Sequence, residues 1–278
     1  MNGTELAARV RQEVARDVAE LGELGLATVL VGDDPASHAY IKHKHEAAQE
    51  VGIRTVDNRL PAEASQEEVL ALVAELNADD SIDAILVQLP LPPQVDEPLV
   101  TRSVAPVKDV DGFHPFNAGR LYLGQPTLVP ATPLGILALL DEYEVPLQGA
   151  HAVVIGRSEI VGKPVAHLLL ERHATVTICH SRTDDLVVHT LGADVLVAAV
   201  GRPALVTLDM VKLGSAVIDV GINRTEAGLV GDVDPGVAHA AKFLTPVPGG
   251  VGPMTIAMLL RNTVRTAQYR RGELAFPL

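Results

Sequence analysis

A single cysteine, Cys179, stands in 278 residues, which excludes an internal disulfide framework and fits a reducing, cytoplasmic setting. Tryptophan is absent and aromatic residues make up only 3%, too few for the stacking platforms that hold single-stranded nucleic acid. No apolar run is long enough to span a bilayer, and Met1 to Val10 carry charge where a signal peptide would carry an apolar core. Lysine and arginine never form a block and the net charge is −13. Nucleic acid is therefore not the expected partner, and an anionic ligand needs a local cluster of cations. Histidine is not scarce, at ten residues, but none falls in a recognised ligand spacing. His38, His43 and His45 lie near one another without a cysteine or carboxylate pattern, so no metal site is expected.

What is present is a globular chain, 47% hydrophobic, long enough for one large or two medium domains. Short runs rich in Val and Ile predict strands at Ala27 to Val31, Ile53 to Leu60, Ala84 to Val87, Ala152 to Ile155, Thr175 to Cys179, Val195 to Val200 and Ala216 to Val220. Helical patterns lie between them at Ser37 to Val51, Ser65 to Asn77, Pro133 to Tyr143 and Gly162 to Arg172. Strands and helices in alternation, with nearly continuous apolar strands, predict the α/β class with parallel sheets covered on both faces. From Lys108 to Pro133 the pattern turns irregular and rich in Gly and Pro. The expected organisation is a first α/β domain over residues 1–132, a second over 133–252, and a terminal helix over 253–278 that returns to the first.

In the second domain, Val153-Val154-Ile155-Gly156-Arg157-Ser158 runs into Val161-Gly162-Lys163-Pro164. A strand, a glycine turn and a helix start aim N–H groups and a positive dipole end at a phosphate. The two glycines are six apart, unlike the usual dinucleotide fingerprint, and on this motif alone a generic strand–helix junction stays equally open. The end of the next strand discriminates better. An NAD site places an acid there for the ribose 2′-hydroxyl, whereas Cys179-His180-Ser181-Arg182-Thr183 has none before Asp184. Arg157, Ser158, Ser181 and Arg182 suit a 2′-phosphate instead. Two further strands end in glycine turns, Val200-Gly201-Arg202 and Val220-Gly221-Ile222-Asn223, where a nicotinamide half would be walled.

In the first domain, Tyr40 and Lys44 are four apart on one helix face, with Ser37 the expected N-cap. Alone, such a pair is equally an exposed lysine beside a half-buried tyrosine. Gln88 ends the apolar strand in Val87-Gln88-Leu89-Pro90, and a buried amide there needs a polar partner or a ligand. Lys108-Asp109-Val110-Asp111-Gly112 is a compact loop with two carboxylates. Near the end comes Pro246-Val247-Pro248-Gly249-Gly250-Val251-Gly252-Pro253-Met254-Thr255, held by a short strand at Phe243-Leu244 and followed by a helix from about Pro253 to Arg270. Two prolines at the entry and three glycines in the next four residues predict a loop shaped around a ligand.

Together these motifs, with Gly32-Asp33-Asp34-Pro35-Ala36-Ser37, Asp219-Val220-Gly221 and Gly231-Asp232-Val233, resemble the bifunctional methylenetetrahydrofolate dehydrogenase/cyclohydrolase family over nearly the whole chain. Two positions depart: Ala131 stands where the family often has cysteine, and Glu159 adds a negative charge near the expected phosphates.

The resemblance implies NADP as cofactor in a Rossmann-type second domain, folate in the first, and a cytoplasmic homodimer joined through the cofactor domains. It implies oxidation of 5,10-methylenetetrahydrofolate to the methenyl form, then hydrolysis to 10-formyltetrahydrofolate, in one-carbon metabolism and purine biosynthesis. Lys44, Gln88, Tyr40 and Asp111 would be the catalytic set. Tyr40, Val87, Gln88, Leu89, Asp111 and the loop Pro248, Gly249, Gly250, Val251, Gly252 and Pro253 would hold substrate. Gly156, Arg157, Ser158, Ser181 and Ile222 would hold NADP. A dehydrogenase without cyclohydrolase activity, or a catalytically silent NADP- or folate-binding module, are the alternative readings; retention of Lys44, Gln88 and Asp111 speaks against both.

Overall fold

The computed structural model describes residues 1–226 and 228–277. The chain divides into two compact units, one of Arg9–Val129 with Leu259–Leu278 and one of Met1–Ala8 with Pro130–Met258. The division falls inside the first and last helices, α1 (Gly3–Leu21) and α9 (Val251–Arg270). The first eight residues thus belong to the second unit and not, as expected, to the first. Backbone bonding explains this: the Met1 ammonium donates to the Leu244 carbonyl at 2.7 Å, and the amides of Gly3 and Thr4 donate to the Gly249 carbonyl. The helix α1 lies outside those expected from sequence, although its buried Leu6, Val10, Val14 and Val18 recur every four residues.

In the unit of Arg9–Val129, β1 (Gly25–Val31), β2 (Arg54–Leu60) and β3 (Ala84–Val87) form a parallel sheet in the order β2-β1-β3. Central β1 is buried at every position, as a parallel strand covered on both faces must be. The helices are α2 (Pro35–Glu50), α3 (Gln66–Ala78), α4 (Glu97–Ser103) and α5 (Pro115–Tyr122). Ala27, Val29, Val31, Ile85 and Val87 pack on Val69, Val73 and Leu76 of α3 and on Val100 of α4.

Local chemistry sets the helix ends. The N-cap of α2 is Asp34 and not Ser37: its carboxylate accepts from the Ser37 amide and hydroxyl, both at 2.8 Å. Pro35 opens that helix because its fixed φ suits the first turn, which leaves Ser37 buried at the third position. Ser65 and Glu68 form a reciprocal capping box on α3. The stretch expected to be irregular contains α5, where His114 Nδ1 accepts from the Phe116 amide at 3.0 Å and Pro115 opens the helix.

In the unit containing Pro130–Met258, α6 (Ala131–Glu142) leads to β4 (His151–Ile155), α7 (Gly162–Glu171), β5 (Thr175–Cys179), α8 (Leu186–Thr190), β6 (Val195–Ala198) and β7 (Ala216–Asp219). An antiparallel hairpin of β8 (Asn223–Thr225) and β9 (Gly228–Val230) follows, then β10 (Phe243–Leu244). Five parallel strands are ordered β10-β7-β6-β4-β5. Counted from the β5 edge this is the doubly wound order 2-1-3-4-5, whose switch point lies between β4 and β6. Helix α9 begins at Val251, earlier than Pro253. Proline is tolerated within a first turn because its missing N–H would have had no intrahelical partner.

Among the described residues no helix is long and apolar enough to cross a membrane, and no group of three or more His, Cys, Asp or Glu side chains could hold a metal ion. His38 and His45 serve local contacts, His38 Nδ1 lying 3.3 Å from Arg59 Nη1 and His45 Nε2 lying 2.9 Å from Thr28 Oγ1.

Candidate active site

Within the first unit the switch point lies between β1 and β3, and the residues that follow those strands converge there. Helix α2 follows β1 and presents Tyr40 and Lys44 on one face; Gln88 follows β3, its amide donating to the Val29 carbonyl at 2.9 Å. Lys44 is only 8% exposed. Its Nζ donates to Gln88 Oε1 at 3.1 Å and sits 5.5 Å from the centre of the Tyr40 ring. Gln88 Nε2 donates to the Leu89 carbonyl at 2.7 Å, which fixes the amide with its oxygen toward the lysine. Of the two possibilities left open for Gln88, a polar partner or a ligand, the structure supplies a polar partner, Lys44.

Burial pulls the Lys44 pKa below the ordinary lysine value, and the charge of Asp111 pulls the other way. Asp111 is partly buried, and loss of water pushes its carboxyl up to about 6 against the opposing effect of Lys44. Burial likewise raises the Tyr40 phenol. A recess lined by Val87, Leu89, Thr101, Asp111 and Phe113 brings the two apolar substrate candidates beside the carboxylate.

Asp111 is placed by residues that the sequence reading does not single out. Asp109 bridges to Ile85 of β3, and its buried carboxylate accepts from the amides of Phe113 and His114 and from Asn117 Nδ2 at 3.2, 2.8 and 2.8 Å. Asn262, buried in α9, donates to the carbonyls of Val110 and Val129 at 2.9 and 2.8 Å. A lone asparagine in an apolar helical stretch was the available signal, because a buried amide requires partners. Lys108 is no ligand group: its buried ammonium donates to the carbonyls of Leu76, Asn77 and Asp79 at 2.7–3.0 Å, closing the C-terminal end of α3.

The loop Pro248–Pro253 belongs to the other unit. Gly249 and Gly250 have a packing role there: a Cβ on Gly3 would lie 1.8 Å from the Gly250 carbonyl oxygen, and one on Gly250 would lie 2.5 Å from that of Pro246. Val251, Gly252 and Pro253 form the first turn of α9 and not a loop.

In the second unit the turn after β4 meets the turn after β6 at the switch point. A Cβ on Gly156, whose φ is +124°, would lie 2.2 Å from the Ala199 carbonyl oxygen, and one on Gly162 would lie 2.3 Å from that of Gly156. Only glycine fits this close approach, and the backbone is left open to a phosphate. Ser158 Oγ accepts from the amides of Val161 and Gly162, both at 3.2 Å, and keeps its own hydrogen to donate. Arg157 and Ser181 are exposed, as is apolar Ile222 at the end of β7. Glu159 pairs with Lys163 at 3.0 Å, which offsets the negative charge expected to oppose phosphate. A cradle of closely packed backbone, an exposed guanidinium and two hydroxyls fits a phosphorylated dinucleotide. Cys179 is fully buried and unpaired.

A family model described as the tetrahydrofolate dehydrogenase/cyclohydrolase catalytic domain matches residues 1–111, and one described as its NAD(P)-binding domain matches residues 130–271. The bifunctional protein FolD of Halothermothrix orenii is 53% identical over 276 residues, covering 97% of this chain and 98% of that protein. That of Paraburkholderia xenovorans is 56% identical over 274 residues, covering 96% of each. The crystal structure of the bifunctional FolD methylenetetrahydrofolate dehydrogenase/cyclohydrolase from Campylobacter jejuni matches with a TM-score of 0.95 at 48% identity, over 97% of this chain and 98% of that one. The Trypanosoma brucei enzyme, solved with NADP cofactor and inhibitor, matches with a TM-score of 0.93 at 38% identity, over 99% and 98%. The converging lysine, glutamine and carboxylate in one unit, the dinucleotide cradle in the other and these full-length likenesses agree: the chain belongs to the tetrahydrofolate dehydrogenase/cyclohydrolase family.

Proposed function

We propose that this protein oxidises 5,10-methylenetetrahydrofolate to the methenyl form with NADP and then hydrolyses it to 10-formyltetrahydrofolate. The observation that carries this reading is the buried Lys44 amine held by Gln88 beside the electrostatically coupled Asp111. NADP supplies the hydride acceptor; Gly156, Arg157, Ser158, Ser181 and Ile222 would hold it.

Asp111 accepts two parallel N–H bonds from the pterin, its 2-amino group and adjacent ring nitrogen, which sets the folate in one orientation. Tyr40 packs along the ligand. Hydrolysis needs a base to take a proton from water as the oxygen adds to the methenyl carbon, and an acid to protonate the ring nitrogen as the ring opens. Lys44 suits both steps because burial favours its neutral amine, and a cationic methenyl substrate favours it further. Gln88 takes one Nζ hydrogen and leaves the lone pair directed by the remaining geometry.

This chemistry belongs to one-carbon metabolism, and the reading extends to a formyl product that serves purine biosynthesis in the cytoplasm. A homodimer joined through the cofactor units is supported by β5, an edge strand with Ile178 exposed, and by exposed Leu170, Val188 and Leu191 on α7, on α8 and just beyond it. An unpaired edge with apolar side chains around it is a pairing surface for a second copy. The deciding assay follows NADPH appearance and methenyl decay on adding methylenetetrahydrofolate to purified protein. NADPH formation with transient methenyl absorbance is expected; no NADPH would refute the reading, and methenyl that persists would reduce it to a dehydrogenase alone.

A further inference from the structure

In the second unit two acidic side chains hold together the turns that follow β6 and β7, and neither acts on substrate. Asp232 Oδ2 accepts from the amides of Val200 and Gly201 at 2.7 and 2.9 Å, and its Oδ1 accepts from the Arg202 amide at 2.8 Å. Three successive N–H groups wrapped around one carboxylate make an anion-binding nest filled by the protein itself. The same Oδ1 accepts from Asn223 Nδ2 at 2.9 Å, which carries the grip across to the turn after β7.

Asp219, the last residue of β7, completes the clamp. Its carboxylate accepts from the amides of Gly221, Asp232 and Val233 at 3.0, 2.8 and 3.0 Å. The fit leaves no slack: a Cβ on Gly231 would lie 1.7 Å from Asp219 Oδ2, and one on Gly221 would lie 2.2 Å from Asp232 Oδ1. Asp219 and Asp232 are 4% and 0% exposed, so a ligand cannot reach them. What they position is exposed: Gly201 and Arg202 on one turn, Ile222 on the other. Both turns stand at the carboxyl ends of parallel strands, where ligands bind in this topology.

From this geometry we infer that Asp232, backed by Asp219 and tied through Asn223, is the positioning residue that sets the two cofactor-facing turns in register, and so controls NADP affinity without touching NADP. The inference rests on the NADP site proposed above. In Asp232→Asn one acceptor oxygen becomes an N–H₂ that faces amide donors, so the nest opens while side-chain volume is kept. In Asn223→Ala only the tie between the turns is lost.

The test measures NADP affinity by calorimetry, KM for NADP and for methylenetetrahydrofolate, hydrolysis of added methenyltetrahydrofolate, and thermal melting. Losing charge-assisted bonds in Asp232→Asn should weaken NADP roughly ten- to hundredfold, with a parallel rise in its KM. Asn223→Ala leaves the nest itself intact and acts on the turns only through the lost tie, so it should weaken NADP about three- to tenfold, the worth of an ordinary hydrogen bond. KM for the folate and the rate of methenyl hydrolysis, which consumes no cofactor, should change less than twofold in Asn223→Ala. A purely structural role would lower all activities together with the melting temperature, and that pattern overturns the inference. Unchanged NADP affinity in Asn223→Ala also overturns it, even where Asp232→Asn fails to fold. Absence of NADP binding in the unmutated protein would instead remove the cofactor site itself.

Discussion

Lys44 and Gln88 are 44 residues apart in the chain and 3.1 Å apart in space, the amine giving a hydrogen to the amide oxygen. The contact exists because β1 and β3 are neighbours in the sheet although β2 lies between them in sequence. A lysine amine that is buried, drawn toward neutrality and held by one acceptor is prepared for proton transfer.

Lys44→Met keeps the apolar stem and removes the amine. Hydride transfer moves no proton through a lysine, whereas ring hydrolysis depends on one. Cyclohydrolase activity should fall about 10²–10⁴-fold, the usual contribution of a positioned acid/base, and dehydrogenase activity much less. Methenyl product should accumulate and be read by its absorbance. Equal loss of both activities would make Lys44 a binding residue.

Folate affinity should depend on pH through Asp111. Its carboxyl titrates near 6 in the free protein, and only the ionised form accepts both pterin donors. Binding should therefore be constant above that value and weaken by up to tenfold per pH unit below it. Calorimetric titration of folate between pH 5 and 8 checks this, and Asp111→Ala should weaken folate while leaving NADP affinity unchanged. A flat profile together with unchanged affinity in Asp111→Ala would remove Asp111 from the site.

The same burial makes Asp111 a cost to stability. Its folded-state pKa is raised from 3.8 to about 6, so its stabilising contribution is full below the unfolded value and is lost as pH rises through the folded one. Asp111→Asn should then be more stable than the unmutated protein at pH 7.5, by at most about 3 kcal/mol at 1.36 kcal/mol per unit, less what partial exposure screens. The gap should narrow as pH falls from 6 toward 4. Urea unfolding at several pH values measures it.

NADP should bind more tightly than NAD, and Arg157→Ala should narrow the difference. Arg157 is exposed beside the turn after β4, and the end of β5 carries no acid before Asp184. One charge-assisted phosphate contact is worth about 1.5–3 kcal/mol, roughly ten- to a hundredfold in affinity. Equal affinities for the two cofactors in the unmutated protein would sink the assignment.

Lys108→Met should destabilise the protein by about 3 kcal/mol, since the carbonyls of Leu76, Asn77 and Asp79 would lose their shared cationic donor. The loop bearing Asp111 begins at that lysine, so KM for folate should rise as well. An unchanged unfolding midpoint would show that water replaces the ammonium.

Much of this protein is written in short-range pattern. The strand Ala84–Val87 stands where its apolar run lies, because a parallel strand buried on both faces has no choice of composition; the edge strand Thr175–Cys179 stands where β-branched residues cluster, although only Cys179 in it is buried. The Tyr40 and Lys44 face follows from helical spacing alone, and an N-cap one turn earlier than Ser37 leaves it intact. The full-length family resemblance was legible for the same reason: its motifs are local and ordered along the chain. Tertiary structure alone decided the rest. Sheet order brought Gln88 to Lys44, and burial, which no local pattern measures, moved the titration of Lys44 and Asp111. Long-range hydrogen bonding gave Asn262 its grip on Val110, made Asp219 and Asp232 a clamp, and drew Met1 and Gly3 to Leu244 and Gly249. Spacing along a chain fixes which side chains share a helix face or a strand face. Which distant groups lose their water together is settled only when the sheets assemble.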